Sequence, residues 1–100
     1  MARIIHVDGT IVPLPPKQDS EDGTHKVLSL DQLQKAVGGY IEIVRLPDGR
    51  PWGICHEEGK LEGKAFNTVA TSLWYTQCGF VHGDYLVGDI IVLDAENEIE

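Results

Sequence analysis

Two apolar runs, Tyr40 to Leu46 and Pro51 to His56, are separated by little more than Pro47-Asp48-Gly49. Proline sets φ at the first turn position and glycine takes the strained one, so this triplet reverses the chain. Parallel strands need a crossover of a dozen or more residues, so these two runs pair as an antiparallel hairpin. That constraint removes the doubly wound α/β folds. The sequence is 100 residues long, the size of one domain with one core, and no second core can be carved from it. Apolar residues make up 42% and charged ones 24%, an ordinary globular balance. A single domain over residues 1–100 is therefore expected, with a mobile loop at about 15–25 and a solvated tail at 96–100.

The other elements follow from local pattern. Arg3 to Val7 and Thr10 to Leu14 are β-branched runs on either side of Asp8-Gly9, which predicts a second hairpin closed by a type I′ turn. Pro13, Pro15 and Pro16 end any central strand there. Ser29 stands three residues before Gln32, the spacing of a capping box. Leu30, Leu33, Ala36 and Val37 then fall on one helical face, and Gly38 is the left-handed stop. Asn67 caps a second helix reaching about Tyr75, with Val69, Ala70, Leu73 and Trp74 as its apolar side. Leu86 to Leu93 reads as a final strand broken by Gly88-Asp89. The expected fold is α+β: a small curved, mainly antiparallel sheet or a partly closed barrel, with two short helices.

Sixteen acidic side chains against eight basic ones give a net charge of −8. Nucleic acid is recognised by neutralising its phosphates with Lys and Arg, so direct nucleic-acid binding is not expected. Anionic membrane is disfavoured for the same reason, and no stretch approaches the length of a membrane span. The acids are dispersed, which serves solubility, and they also suit a basic protein partner. Two cysteines do not make a disulfide framework, and the start of the chain lacks a signal peptide's apolar run. A cytoplasmic address, with reduced thiols, follows.

Four segments carry a resemblance. They are Leu33-Gln34-Lys35-Ala36-Val37-Gly38-Gly39-Tyr40-Ile41-Glu42, His56-Glu57-Glu58-Gly59-Lys60-Leu61, Asn67, and Val87-Gly88-Asp89-Ile90-Ile91-Val92. In this order, over about residues 28 to 94, the chain resembles a DUF3846-like family: small proteins of phages and mobile elements with a domain of unknown function. Members of the family it resembles usually carry Asn-Glu-Glu-Gly where this chain has His56-Glu57-Glu58-Gly59. The resemblance implies an accessory role in host takeover or counter-defence, and no activity.

Several reactive constellations are weaker than they look. Cys55-His56 and Cys78 with His82 offer four candidate metal ligands, but neighbours on a strand point to opposite faces and do not share a tetrahedron. Core thiols and surface histidines are expected instead, with no metal and no cofactor. A Cys–His nucleophile needs an electropositive pocket and a local signature, and neither surrounds Cys78. Glu57 and Glu58 read as the solvated face of a turn, since glycosidase-type carboxylates lie across a bond from each other. Gly38-Gly39 follows a helix, whereas phosphate loops precede one.

The central hairpin is the remaining candidate. Arg45, Arg50, Lys60 and Lys64 lie between residues 45 and 64 against four acids, so this segment is neutral while the rest of the chain carries four basic and twelve acidic residues. Arginine beside an aromatic face suits a planar anionic ligand. Two readings follow. In one, the protein sequesters an anionic nucleotide-type ligand, across a homo-oligomer interface. Arg45, Arg50 and Lys60 would meet phosphate, Trp52 would stack on a base, and His56 and Asn67 would complete the site. In the other, it is an acidic inhibitor that blocks a host protein. The plainer alternative makes Trp52 and Tyr40 core residues under an ordinary charged hairpin.

Overall fold

The computed structural model describes residues 1–19, 23, 26–79, 83–95 and 97–99. It is an α+β fold built on an open five-stranded antiparallel sheet. The strands are β1 (Ala2–Ile5), β2 (Ile11–Leu14), β5 (Ile41–Arg45), β6 (Pro51–His56) and β7 (Ile90–Val92). Their order across the sheet is β2-β1-β7-β6-β5, so the sheet ends at β2 and β5 and does not close into a barrel. A smaller sheet joins β3 (Gln18–Asp19), β4 (Lys26–Leu28) and β8 (Asn97–Ile99).

Alternation along the strands divides the core in two. Ile90 and Val92 pack with Ile5, Trp52, Ala70 and Trp74, whereas Ile91 packs with Ala2, Leu33, Val37 and Ile54. Ala70 and Trp74 belong to α2 (Thr68–Cys78) and Leu33 and Val37 to α1 (Leu30–Val37). Successive strand residues face opposite sides, so the two helices cover opposite faces of the sheet.

Both hairpins are present, and Pro47-Asp48-Gly49 turns the second as its triplet predicts, but the Asp8-Gly9 turn is not of the type I′ form. The N–H of Gly9 donates to His6 O (2.9 Å) and that of His6 to Thr10 O (2.8 Å). The N–H of Gly49 donates to Leu46 O (2.9 Å) and that of Leu46 to Arg50 O (2.8 Å). Both are three-residue loops with a left-handed glycine last, at φ 91 in each, a standard alternative to the two-residue turn. Asp8 and Asp48 reinforce them by accepting from the N–H of Thr10 and Arg50. The extra loop residue explains why the sequence rule for Asp-Gly pairs names the wrong turn.

Helix α1 has the capping box that Ser29 and Gln32 predict, with both reciprocal bonds formed. Gly38, at φ 85, ends it. Leu30 departs from expectation: it is exposed, while Leu33 and Val37 are buried. Val69 on α2 is likewise exposed, and Thr71 takes a buried place instead. The tail is a further correction. Asn97–Ile99 is strand β8, paired parallel to Lys26–Leu28, so the segment is held by a sheet edge that its acidic composition hides. Part of the 15–25 loop is likewise strand β3, and its residues 20–22, 24 and 25 lie outside the described residues.

Asn67 holds these parts together. Its Nδ2 donates to Ile5 O (2.8 Å) and Gly88 O (2.9 Å), and its Oδ1 accepts from the N–H of Ala70 (3.0 Å). One buried amide thus caps α2, ties it to the end of β1 and fixes the segment entering β7. Truncation strands two carbonyls and one N–H away from water, each a loss of about 1–3 kcal/mol where no water enters. Asn67→Ala is expected to lose about 3 kcal/mol in urea denaturation, and Asn67→Asp, which keeps the helix cap but not the two donors, should recover only part of it.

Candidate functional site

A β-bulge decides where the tryptophan goes. Val44 pairs with Gly53 but Arg45 pairs with Pro51, which leaves Trp52 as the extra residue. In a regular strand Trp52 and Ile54 would share a face; the bulge re-aims Trp52 to the α2 side. There its ring stacks on Trp74, with centroids 6.4 Å apart, and its Nε1 donates to Gln77 Oε1. Trp52 is 3% exposed and packs in the core, so only a small edge of it borders the depression that Arg50 also lines. Asn67, 0% exposed with its polar atoms bonded internally, is likewise scaffold and not a ligand contact.

The remaining four candidates fall into two depressions. Arg45, His56 and Lys60 line a groove of about 320 Å³, together with Glu42, Val44, Cys55, Glu57, Leu61, Trp74 and Asp84–Val87. Arg50 lines another, of about 680 Å³, beside Leu46, Pro51 and Ile99. Arg50 Nε is bonded to Asp48 (2.7 Å), and Arg45 Nη1 donates to Gly49 O (2.9 Å). The arginines therefore brace the hairpin turn, and the structure does not gather them around one anion.

Within the first groove, Lys60 Nζ pairs with Asp84 and sits 4.4 Å from the Tyr85 ring centroid. The mutual hydrogen bond holds the ammonium above its ordinary pKa and the Asp84 carboxyl below its own. Glu42 and Glu57 have no ion pair among the described residues. Neither does the buried Trp74 Nε1 have a hydrogen-bond acceptor among them. Apolar surface is unusually open at this mouth. Leu61 is 88% exposed and lines the mouth with the exposed Tyr85, whose ring lies against exposed Phe66 with centroids 5.7 Å apart. Sequence reading missed Leu61, Phe66 and Tyr85, because an apolar residue in a loop carries no periodic signal of its exposure.

The segments that carry the family resemblance form the frame behind this groove. The His56 Nδ1 accepts from the N–H of Glu58 (3.0 Å), two residues on. An asparagine oxygen makes the same bond in an Asx-turn, so the His56 ring closes this turn as an asparagine side chain would. The imidazole leaves no room for a side chain at Gly39, where a Cβ would collide with Nε2. A Cβ on Gly59 would meet the Val87 side chain at 3.0 Å, and Asn67 bonds to Gly88 O. Segments distant in sequence thus meet in one packed frame.

A family model matches residues 3–100. The chain belongs to the DUF3846 family, described as a domain of unknown function. Comparison with curated proteins and with solved structures returned no match. Membership of DUF3846 agrees with the four segments, which here serve chain reversal, capping and close packing. Among the described residues, no group of three or more His, Cys, Asp and Glu is placed to hold a metal ion, and His82 lies outside them. No described helix is long and apolar enough to cross a membrane.

The groove's thiol is poorly suited to nucleophilic work. Burial, then the nearby Glu42 charge, pushes Cys55 up to about 11, and burial also raises Cys78. At pH 8 roughly one Cys55 in a thousand is thiolate. Iodoacetamide is therefore expected to label Cys55 slowly at pH 8 and progressively faster as pH approaches 11, as read by peptide mass spectrometry. A folded-state value above the unfolded one also means stability held below pH 9 and lost as pH rises through 9 to 11.

Proposed function

We propose that this chain is a non-enzymatic binding protein of a phage or mobile element that acts in host takeover or counter-defence by occupying a site on a host protein. The observation that carries the reading is the exposed apolar surface of Leu61 and Tyr85 lining the groove, extended by exposed Phe66 against the Tyr85 ring. Exposed apolar side chains rimmed by charge are what a protein interface presents, with aromatic anchors at its centre. The net charge of −8 supports a partner with a basic site and speeds encounter with it. A protonated Cys55 and a His56 ring engaged with backbone favour binding over nucleophilic chemistry.

The nucleotide-type reading keeps one supporting observation. Arg45, His56 and Lys60 share a groove within the volume range of small-ligand sites, about 300–1,000 Å³. It loses Trp52 and Asn67 to the core, and Lys60 to Asp84.

Affinity capture from host lysate separates the two readings. The chain should retain a specific protein at low salt and lose much of it at high salt, as screening requires. Leu61→Glu should change folding stability by no more than about 0.5 kcal/mol, since the side chain is solvated. Capture should nevertheless fall roughly tenfold, the loss of one apolar anchor. Equal capture by Leu61→Glu would contradict the reading, as would calorimetric binding of a nucleotide with no protein partner.

A further inference from the structure

The location of the groove beside an open sheet edge deepens that reading, on which this inference rests. We infer that β5 receives an extended, lysine- or arginine-bearing segment of the partner as a sixth, antiparallel strand, with the basic side chains lying in the groove.

The two edges of the sheet differ. Edge strands are ordinarily blunted by proline, lysine or bulges. Strand β2 carries Pro13 in its ladder, which removes a donor from that edge. Strand β5, Ile41-Glu42-Ile43-Val44-Arg45, has neither proline nor lysine, and the bulge beside it puts its extra residue in β6. Among the described residues β5 pairs on one side only.

The direction of its backbone groups follows from the flanking bonds. Glu57 N–H donates to Tyr40 O, and Leu46 N–H donates to Arg50 O, so the even-numbered residues face β6. Alternation turns the N–H and C=O of Ile41, Ile43 and Arg45 to the free edge. The side chains of Glu42 and Val44 share the face that α2 covers, and both line the groove. In an antiparallel partner strand, residues opposite Glu42 and Val44 send their side chains into this groove and their own N–H groups away from β5. Residues opposite Ile41 and Ile43 make the new ladder bonds.

Charge selects the occupant. Lys60 is paired with Asp84, and Arg45 bonds to its own turn, while Glu42 and Glu57 are left in the groove without ion pairs among the described residues. Basic side chains on alternate positions answer those two carboxylates, and apolar stems cover Leu61 and Val44. A second copy of this chain is a poor occupant, since each carries a charge of −8. Strand addition with side-chain pockets at alternate positions is an established way to recognise extended segments.

The test uses a fluorescein-labelled peptide of alternating lysine and valine, read by fluorescence anisotropy. The peptide should bind the full chain. N-methylation of its valines, whose N–H groups face β5, should weaken binding at least roughly tenfold, while N-methylation of its lysines should leave it within about twofold. Glu42→Gln with Glu57→Gln, both at exposed positions, should weaken binding roughly tenfold and flatten its salt dependence. No binding of the unmodified peptide, equal binding of the valine-methylated one, or indifference to the two glutamine substitutions would overturn strand addition. Those results combined with Leu61-dependent capture of a host protein would leave the protein-binding reading standing and remove only this mode.

Discussion

The buried amide of Asn67 is the joint on which the rest of the architecture turns. Three backbone groups from three separate parts of the chain converge on it: the end of β1, the start of α2 and the residue before Asp89. The sheet alone would not place α2, whose apolar face is discontinuous, with Val69 exposed and Thr71 buried. A polar anchor with three bonds sets the helix start instead, and Trp74 follows as the groove's inner wall. The same amide fixes Gly88 O, and with it the Asp84–Val87 segment opposite β5. The proposed binding surface is therefore an indirect product of a residue that no ligand touches.

This explains why the sequence was informative about scaffold and poor on site. The β5–β6 hairpin and the capping box of α1 were legible because their signals are local: a turn triplet, a Ser–Gln spacing, a glycine stop. What failed was non-local. Trp52 suited a stacking role because it stands beside arginines in the hairpin, and a bulge visible only in the pairing register turned it inward. Asn67 looked like a ligand contact because a polar residue in a motif invites that reading, yet its partners lie 62 and 21 residues away. The acidic tail looked solvated, and its pairing with β4 depends on main-chain bonds that composition does not encode.

The residues behind the family resemblance show the same division. His56 and Gly39 pack against each other, Gly59 meets Val87, and Asn67 reaches Gly88. These are geometric requirements of one frame. The exposed residues Leu61, Phe66 and Tyr85 and the open strand β5 are what that frame displays. In physical terms the chain combines a well-bonded scaffold with an edge that ordinary sheet proteins protect, and it carries enough negative charge to discourage pairing with itself. Such a combination suits capture of a basic, extended partner.

Strand β5 must be an unoccupied edge in the free chain, and amide hydrogen exchange measured by NMR reads that directly. Exchange at Ile43, whose N–H points away from β6, should approach the rate of a solvated amide, while its neighbour Glu42, bonded into the ladder, should be slowed by orders of magnitude. Comparable protection at both positions in the free protein would mean that the edge is already covered, and the account of how this chain binds would fail.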